Sequence, residues 1–177
     1  MASWLFFSVG AFSQSSLSTE YQVKAACLLN FIRYIQWPES AFSGSESNVV
    51  IGVLGDDSFA DVLSQIFNEE MIQGRKVVVK RLHLFQEIRG CCLVFVSKSE
   101  QEHLEEILRN TRDQPLVSIG ESEGFIQWGG IINFRVEAGK IRFEINAVAA
   151  QRKGLRINSQ LLKRAKIMNS ESEKEGG

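Results

Sequence analysis

Four short apolar runs, rich in β-branched residues, divide the first two thirds of the chain. They span residues 49–54, 76–81, 92–96 and 115–119. The first run, VVIGVL, lacks polar alternation, which is typical of a strand buried on both faces. After the first and third runs, apolar residues recur at three- and four-residue spacing and predict helices. Because alternating strands and helices form βαβ crossovers, the chain is predicted to be α/β, with a mostly parallel sheet and helices on both faces.

The last third of the chain has a different pattern. Residues 131–136 and 140–145 flank a connection that contains glycine, which predicts a β-hairpin. Residues 147–153 and 160–168 then predict two helices. A C-terminal hairpin and helices are therefore expected to complete the α/β fold.

The chain is predicted to hold one domain, over residues 20–168. Its 177 residues and 44% apolar content suit a single hydrophobic core. The first helix is predicted to begin at Glu20 and to stop at Pro38, because proline disfavours helical geometry in the preceding residue. Residues 14–19 are expected to form a flexible leader, and residues 169–177 a polar disordered tail.

Residues 1–13 have the pattern of a signal peptide remnant. A short apolar run closes on the small residues Ala11 and Ser13, as before a cleavage site. The run is shorter than the roughly 20 apolar residues of a membrane span. This pattern predicts export, while a buried N-terminal helix or strand stays open as the alternative.

Composition argues against several classes of function. Twenty Lys and Arg balance 21 Asp and Glu, so the net charge of -1 provides no field to attract nucleic acid. Three cysteines cannot build a disulfide framework, and two histidines do not give a zinc site of familiar spacing. Neither a metal nor a cofactor is therefore expected.

The turn after the first strand, Gly55-Asp56-Asp57, is one candidate ligand site. Ligands of doubly wound sheets bind where strands end and helices begin. The turn lacks the third glycine of the dinucleotide fingerprint and the Gly-Lys-Ser/Thr of the P-loop. A helix cap by the aspartates is the favoured interpretation, and a small-molecule site is the alternative.

Cys91 and Cys92 stand at the start of the third strand and are candidate nucleophiles. A catalytic thiol needs a nearby base, and the sequence places neither His83 nor His103 beside them. A cysteine that begins a buried strand is usually a small apolar residue of the core. No catalytic residue is therefore assigned.

The order of six motifs resembles the YfiR/HmsC-like family. YQVKAA at 21–26 is followed by LNF and QWP, which together are similar to the opening motif of that family. The other similar stretches are 51–56, 91–100, 124–134, 141–150 and 154–162. Each motif alone is weak, but their joint order is specific and covers residues 20–168.

The resemblance implies a non-catalytic, dimeric protein of the periplasm with an α/β fold. Such a protein would bind the periplasmic sensor domain of an inner-membrane diguanylate cyclase and repress cyclic-di-GMP synthesis, and hence biofilm and exopolysaccharide output. It would itself be sequestered by an outer-membrane lipoprotein. The alternative is a small-molecule-binding sensor domain that acts on a histidine kinase or another membrane signalling partner.

Two aspects of the sequence qualify what the resemblance implies. The conserved family cysteine before the third strand corresponds to Cys91, but its upstream partner is absent and Cys27 stands where an aromatic residue is usual. The family disulfide is therefore not expected. A repressor also needs an exposed apolar docking patch, and the candidate partner-binding residues are Leu161, Leu162, Ile167 and Met168 of the last helix, then Phe125 and Trp128. For these residues core packing is the alternative.

Overall fold

The computed structural model describes residues 11–42 and 47–167, and the side chains of residues 19–42 and 47–165. The predicted polar tail and Met168 lie outside these residues. Most of the predicted signal peptide remnant, residues 1–10, also lies outside them. Within the described ranges, no helix is both long and apolar enough to cross a membrane.

Helices and strands alternate through the domain as the apolar runs predict. In chain order the elements are α1 (Ala11–Tyr34), β1 (Ile35–Gln36), β2 (Val49–Leu54), α2 (Asp57–Ile66), β3 (Met71–Ile72), β4 (Arg75–Leu82), β5 (Leu93–Val96), α3 (Leu104–Asn110), β6 (Val117–Gly120), β7 (Ile132–Glu137), β8 (Lys140–Ile145), α4 (Ala147–Arg152), β9 (Arg156–Ile157), α5 (Ser159–Arg164) and β10 (Lys166–Ile167). Short 3-10 helices lie at Glu39–Ala41, Phe85–Ile88 and Lys98–His103.

Eight of these strands form one sheet, in the order β10-β8-β7-β6-β5-β2-β4-β3. Neighbours pair in parallel except at the hairpin β7–β8 and at the edge pair β3–β4. The chain enters the sheet centre at β2, moves out to β4, and returns past β2 to β5, which is the path of a doubly wound sheet. The predicted fold class is confirmed.

The core lies on both faces of the sheet. On β5, Leu93 and Phe95 pack in the cluster that includes α1 and α2, whereas Val94 and Val96 pack in the cluster that includes α3. All four side chains are buried. A strand buried on both faces cannot alternate apolar and polar residues, which explains the continuous apolar runs of β2 and β5.

The structure corrects the boundaries of the first and last helices. Helix α1 is already helical at Ala11, so the predicted start at Glu20 is wrong and residues 14–19 lie within the helix. Once a helix is nucleated, each added residue costs little, so polar residues can extend it. The predicted stop at Pro38 is also late, because the helix ends at Tyr34 and Ile35–Gln36 form β1. At the other end α5 stops at Arg164, because Ala165 is extended, and Lys166–Ile167 add to β8 as a parallel strand. The predicted helix over 160–168 is therefore wrong at residues 165–167.

Candidate functional site

The loop between β6 and β7 separates the two aromatic residues predicted for docking. The ring of Phe125 is fully buried and lies between Gly120 and Gly130, where a side chain on either glycine would overlap it. Trp128 is 47% exposed and covers Gly124, whose carbonyl accepts a hydrogen bond from the Trp128 backbone N–H at 3.0 Å. Phe125 thus closes the end of the sheet, and Trp128 is presented on the surface.

The C-terminal candidates also divide between core and surface. Leu161 is buried in the main core cluster, and Leu162 is half-buried at its edge. Ile167 lies in strand β10 and not in a helix, and its side chain is outside the described residues, as is Met168. Leu162 and Trp128 are therefore the candidates whose described side chains reach the surface.

The turn at Gly55 is filled by the protein itself. Asp56 caps α2, because its Oδ1 accepts a hydrogen bond from the Phe59 N–H at 2.9 Å, which confirms the predicted cap. Its Oδ2 accepts from the Tyr21 hydroxyl at 2.6 Å, and burial together with this bond raises the pKa of Tyr21. Ser99 donates to the Gly55 carbonyl at 3.0 Å. These contacts occupy both carboxylate oxygens of Asp56 and the carbonyl of Gly55.

The three cysteines are free thiols. Cys91 and Cys92 are buried, as predicted for small apolar residues of the core. Burial raises the pKa of Cys91 to about 11, and it raises the pKa values of Cys92 and Cys27 as well. Since the thiolate is the nucleophile, all three are poorly reactive at neutral pH.

A polar cleft of about 530 Å³ opens at the carboxyl end of the sheet. Strand β7 pairs with β6 only at Ile119–Ile132 and Gly120–Asn133, then continues past the end of β6 with β8 as its partner. The projecting hairpin forms one wall of the cleft, and α1 and the loop after β6 form the others. Its lining residues are Glu20, Lys24, Lys98, Glu121, Ser122, Glu123, Gly124, Gln127, Asn133, Phe134, Arg135, Val136, Ile141 and Glu144.

Lys24 is a buried cation in the lining of this cleft. Its Nζ donates to Glu121 Oε2 at 2.5 Å and to Glu20. Burial alone would lower the pKa of Lys24, but the hydrogen bonds to Glu121 and Glu20 outweigh it and raise that pKa. The other Glu121 oxygen accepts the Lys98 backbone N–H at 3.1 Å. Helix α1 is thereby joined to the segments that follow β5 and β6.

The hairpin wall contains a second ion pair and an unpartnered amide oxygen. Arg135 donates to the buried carboxylate of Glu144 at 3.0 Å. Two buried side-chain atoms of the described chain, Ser122 Oγ and Asn133 Oδ1, have no hydrogen-bond partner, and both residues line the cleft. Among the described residues, His, Cys, Asp and Glu form no cluster of three that could hold a metal ion.

The sequence analysis singled out the loop that follows β6 but not the cleft. Glu144 continues the polar alternation of residues 140–145 and gives no signal of burial. Lys24 and Asn133 each interrupt a pattern that otherwise predicts core: Lys24 lies one turn before Leu28 on the apolar face of α1, and Asn133 lies within the apolar run IINF. A polar residue at a core position is the signal that was available for these residues. Ser122 offered no such signal.

Comparison with known families places this chain among regulators. A model of the YfiR/HmsC-like family matches residues 21–166, from the second residue of the predicted domain to β10. Members of that family are periplasmic, non-catalytic regulators in cyclic-di-GMP signalling. Because the match spans most of the chain and nearly all of the described fold, the chain belongs to the YfiR/HmsC-like family.

Proposed function

We propose that this protein binds the periplasmic sensor domain of an inner-membrane diguanylate cyclase and represses cyclic-di-GMP synthesis. The family match over residues 21–166 is the observation that supports this function. A repressor of this kind acts by docking, so it requires a rigid surface with an exposed apolar anchor and does not require an acid–base pair.

Trp128 is the proposed anchor of the docking surface. Its indole is half-exposed, while its backbone is fixed by the hydrogen bond to Gly124 and by the buried neighbours Phe125 and Ile126. Tryptophan is enriched among residues whose truncation costs an interface about 2 kcal/mol or more. A fixed backbone also lowers the entropy cost of binding, because the loop does not have to be ordered. Leu162 is the second candidate.

A binding assay with matched variants tests both the function and the anchor. The purified protein is titrated with the isolated periplasmic domain of a co-occurring diguanylate cyclase, and cyclic-di-GMP is measured in cells that carry both genes. Trp128→Asp is compared with Met71→Asp, which replaces a similarly exposed apolar residue on β3, at the opposite end of the sheet. Trp128→Asp should weaken binding by about 30-fold or more, and Met71→Asp should leave it unchanged.

Each outcome addresses a separate part of the proposal. If the wild-type protein neither binds the cyclase domain nor lowers cyclic-di-GMP, the proposed function is wrong. If it does both and Trp128→Asp behaves like wild type, the function stands and the anchor is wrong. Leu162→Asp is then the next variant, with circular dichroism to verify that it folds.

Export and self-association belong to the same proposal. We infer that the chain acts in the periplasm as a homodimer and is sequestered there by an outer-membrane lipoprotein, as its family membership supports. Cell fractionation locates the protein, and light scattering after size-exclusion chromatography gives its oligomeric state. Cross-linking in intact cells, followed by mass spectrometry, identifies an outer-membrane partner.

A further inference from the structure

We propose that the polar cleft is a binding site for a small, uncharged, hydroxyl-rich molecule of the mono- or disaccharide class. The cleft volume of about 530 Å³ lies within the range of about 300–1,000 Å³ that is usual for small-molecule sites. Its position also fits, because ligands of open α/β sheets bind outside the carboxyl ends of the strands.

The unpartnered atoms indicate that the cleft has an occupant. Buried polar atoms are nearly always hydrogen-bonded, and each exception calls for an explanation. Ser122 is 1% exposed and Asn133 is 5% exposed, and both line the same cleft. Asn133 Oδ1 can only accept a hydrogen bond, whereas Ser122 Oγ can donate and accept. A molecule that offers hydroxyl groups satisfies both, because a hydroxyl donates and accepts.

The charges of the cleft favour an uncharged ligand. The buried cation Lys24 is already neutralised by Glu121 and Glu20, and the buried carboxylate of Glu144 is neutralised by Arg135. A charged ligand would have to displace one of these pairs or add an unpaired charge, and an unpaired buried charge is costly. The remaining charged side chains of the lining, Lys98 and Glu123, are of opposite sign. The lining as a whole has four carboxylates and three cations, so its net charge of -1 disfavours an anion, while each buried charge already has a partner of opposite sign.

The lining offers both kinds of contact that a sugar requires. Amide, carboxylate and guanidinium groups of the cleft provide planar hydrogen-bonding partners for ring hydroxyls. Phe134, Val136 and Ile141 provide the apolar part of the lining, against which the C–H groups of a sugar ring can pack.

Calorimetric titration of the purified protein tests the proposal. The probes are glucose, galactose, sucrose and cellobiose, with zwitterionic alanine and anionic inorganic phosphate as comparators. At least one saccharide should bind saturably. Ser122→Ala and Asn133→Ala should each weaken that binding by about tenfold or more, because each removes a buried hydrogen bond to the ligand.

Ser118→Ala is the matched control. Ser118 lies four residues before Ser122 and is equally buried, but its hydroxyl already accepts the Ile131 N–H at 3.1 Å and it does not line the cleft. Its substitution should lower the thermal midpoint and leave the saccharide affinity unchanged. Ser122→Ala should weaken saccharide binding and should not lower the thermal midpoint, because in the free protein it removes a hydroxyl without a hydrogen-bond partner.

Three results would overturn the proposal: no saccharide binds, the comparators bind and the saccharides do not, or the cleft variants bind as tightly as wild type. If Asn133→Ala does not fold, Ser122→Ala decides the question. The titration uses the isolated protein, so its failure leaves the proposed repression of a cyclase untouched, and failure to bind a cyclase leaves the ligand site untouched.

Discussion

The ion pair between Lys24 and Glu121 is expected to be a main determinant of stability in this fold. The two residues are 97 positions apart, and the pair joins α1 to the end of β6 with an Nζ–Oε2 distance of 2.5 Å. The Lys24 side chain is 5% exposed and that of Glu121 is 17% exposed. The perturbation is a double-mutant cycle of Lys24→Met, Glu121→Ala and the combination.

The geometry sets the expected magnitude. Removing one partner of a fully buried pair costs about 3–5 kcal/mol, because the other charge stays buried without compensation. Glu121→Ala should cost less, about 2–3 kcal/mol, because Glu20 still accepts a hydrogen bond from Lys24. Lys24→Met should cost about 1–2 kcal/mol, because Glu121 keeps the Lys98 N–H and partial hydration. The double variant loses both charges together. Its loss of unfolding free energy should therefore be smaller than the sum of the two single losses by about 1.5–2 kcal/mol.

Urea unfolding measures each free energy, and the pair Arg33–Glu70 is the control. That pair also joins α1 to a distant segment, at 3.2 Å, but its side chains are 51% and 30% exposed. Exposed pairs contribute about 0–1 kcal/mol. A coupling energy for Lys24–Glu121 no larger than the one measured for Arg33–Glu70 would refute the claim that burial makes this pair important.

Further predictions concern the packing around Phe125 and the titration of two lysines. Gly120→Ala would force a methyl group into the Phe125 ring, so the free energy of unfolding should fall by about 1–3 kcal/mol. Adding Phe125→Leu to the same chain should recover part of this loss, and a Gly120→Ala variant as stable as wild type would contradict the packing. Burial lowers the pKa of Lys153 from 10.5 to about 8. Between about pH 8 and 10.5 the unfolded chain therefore binds more protons than the folded chain, so the free energy of unfolding should rise with pH. Lys153→Met should abolish this rise when stability is measured by urea unfolding. The pKa of Lys24 is raised above 10.5, so the contribution of this lysine to stability should persist up to that pH and decline above it. If the difference in free energy of unfolding between wild type and Lys24→Met grew above pH 10.5, the ion pair would be contradicted.

The sheet could be predicted from the sequence because its signal is local. A run such as VVIGVL at 49–54 defines a buried strand, and Asp56 defines the start of the helix that follows, whatever the rest of the chain does. The C-terminal end could not be predicted in this way. Residues 166–167 leave the helix because the free edge of β8 accepts them, and edge pairing depends on which strand the fold leaves exposed.

The candidate site was harder to predict because its contacts join distant segments. The segment GFIQWGG contains two aromatic residues, and the sequence gives equal reason to bury either. Phe125 is the buried one because Gly120 and Gly130, from the two ends of the loop, leave room for a single ring between them.

The polar cleft illustrates what combining sequence and topology adds. Lys24 at a core position of α1 already implies a buried anion as partner, since an ammonium is almost never fully buried unpaired. The sequence offers 21 acidic residues and no way to choose among them. The strand order β5-β6-β7 selects Glu121 as the partner. It brings the carboxyl ends of β5 and β6 to the same edge of the sheet, where Glu121 contacts Lys24 of α1. The same geometry lets β7 project beyond β6 and enclose the space beside the ion pair. The cleft and its buried lysine are thus both consequences of the strand order. A variant that breaks the Lys24–Glu121 pair should therefore alter both stability and saccharide binding. The Arg33–Glu70 variants should alter neither by a comparable amount.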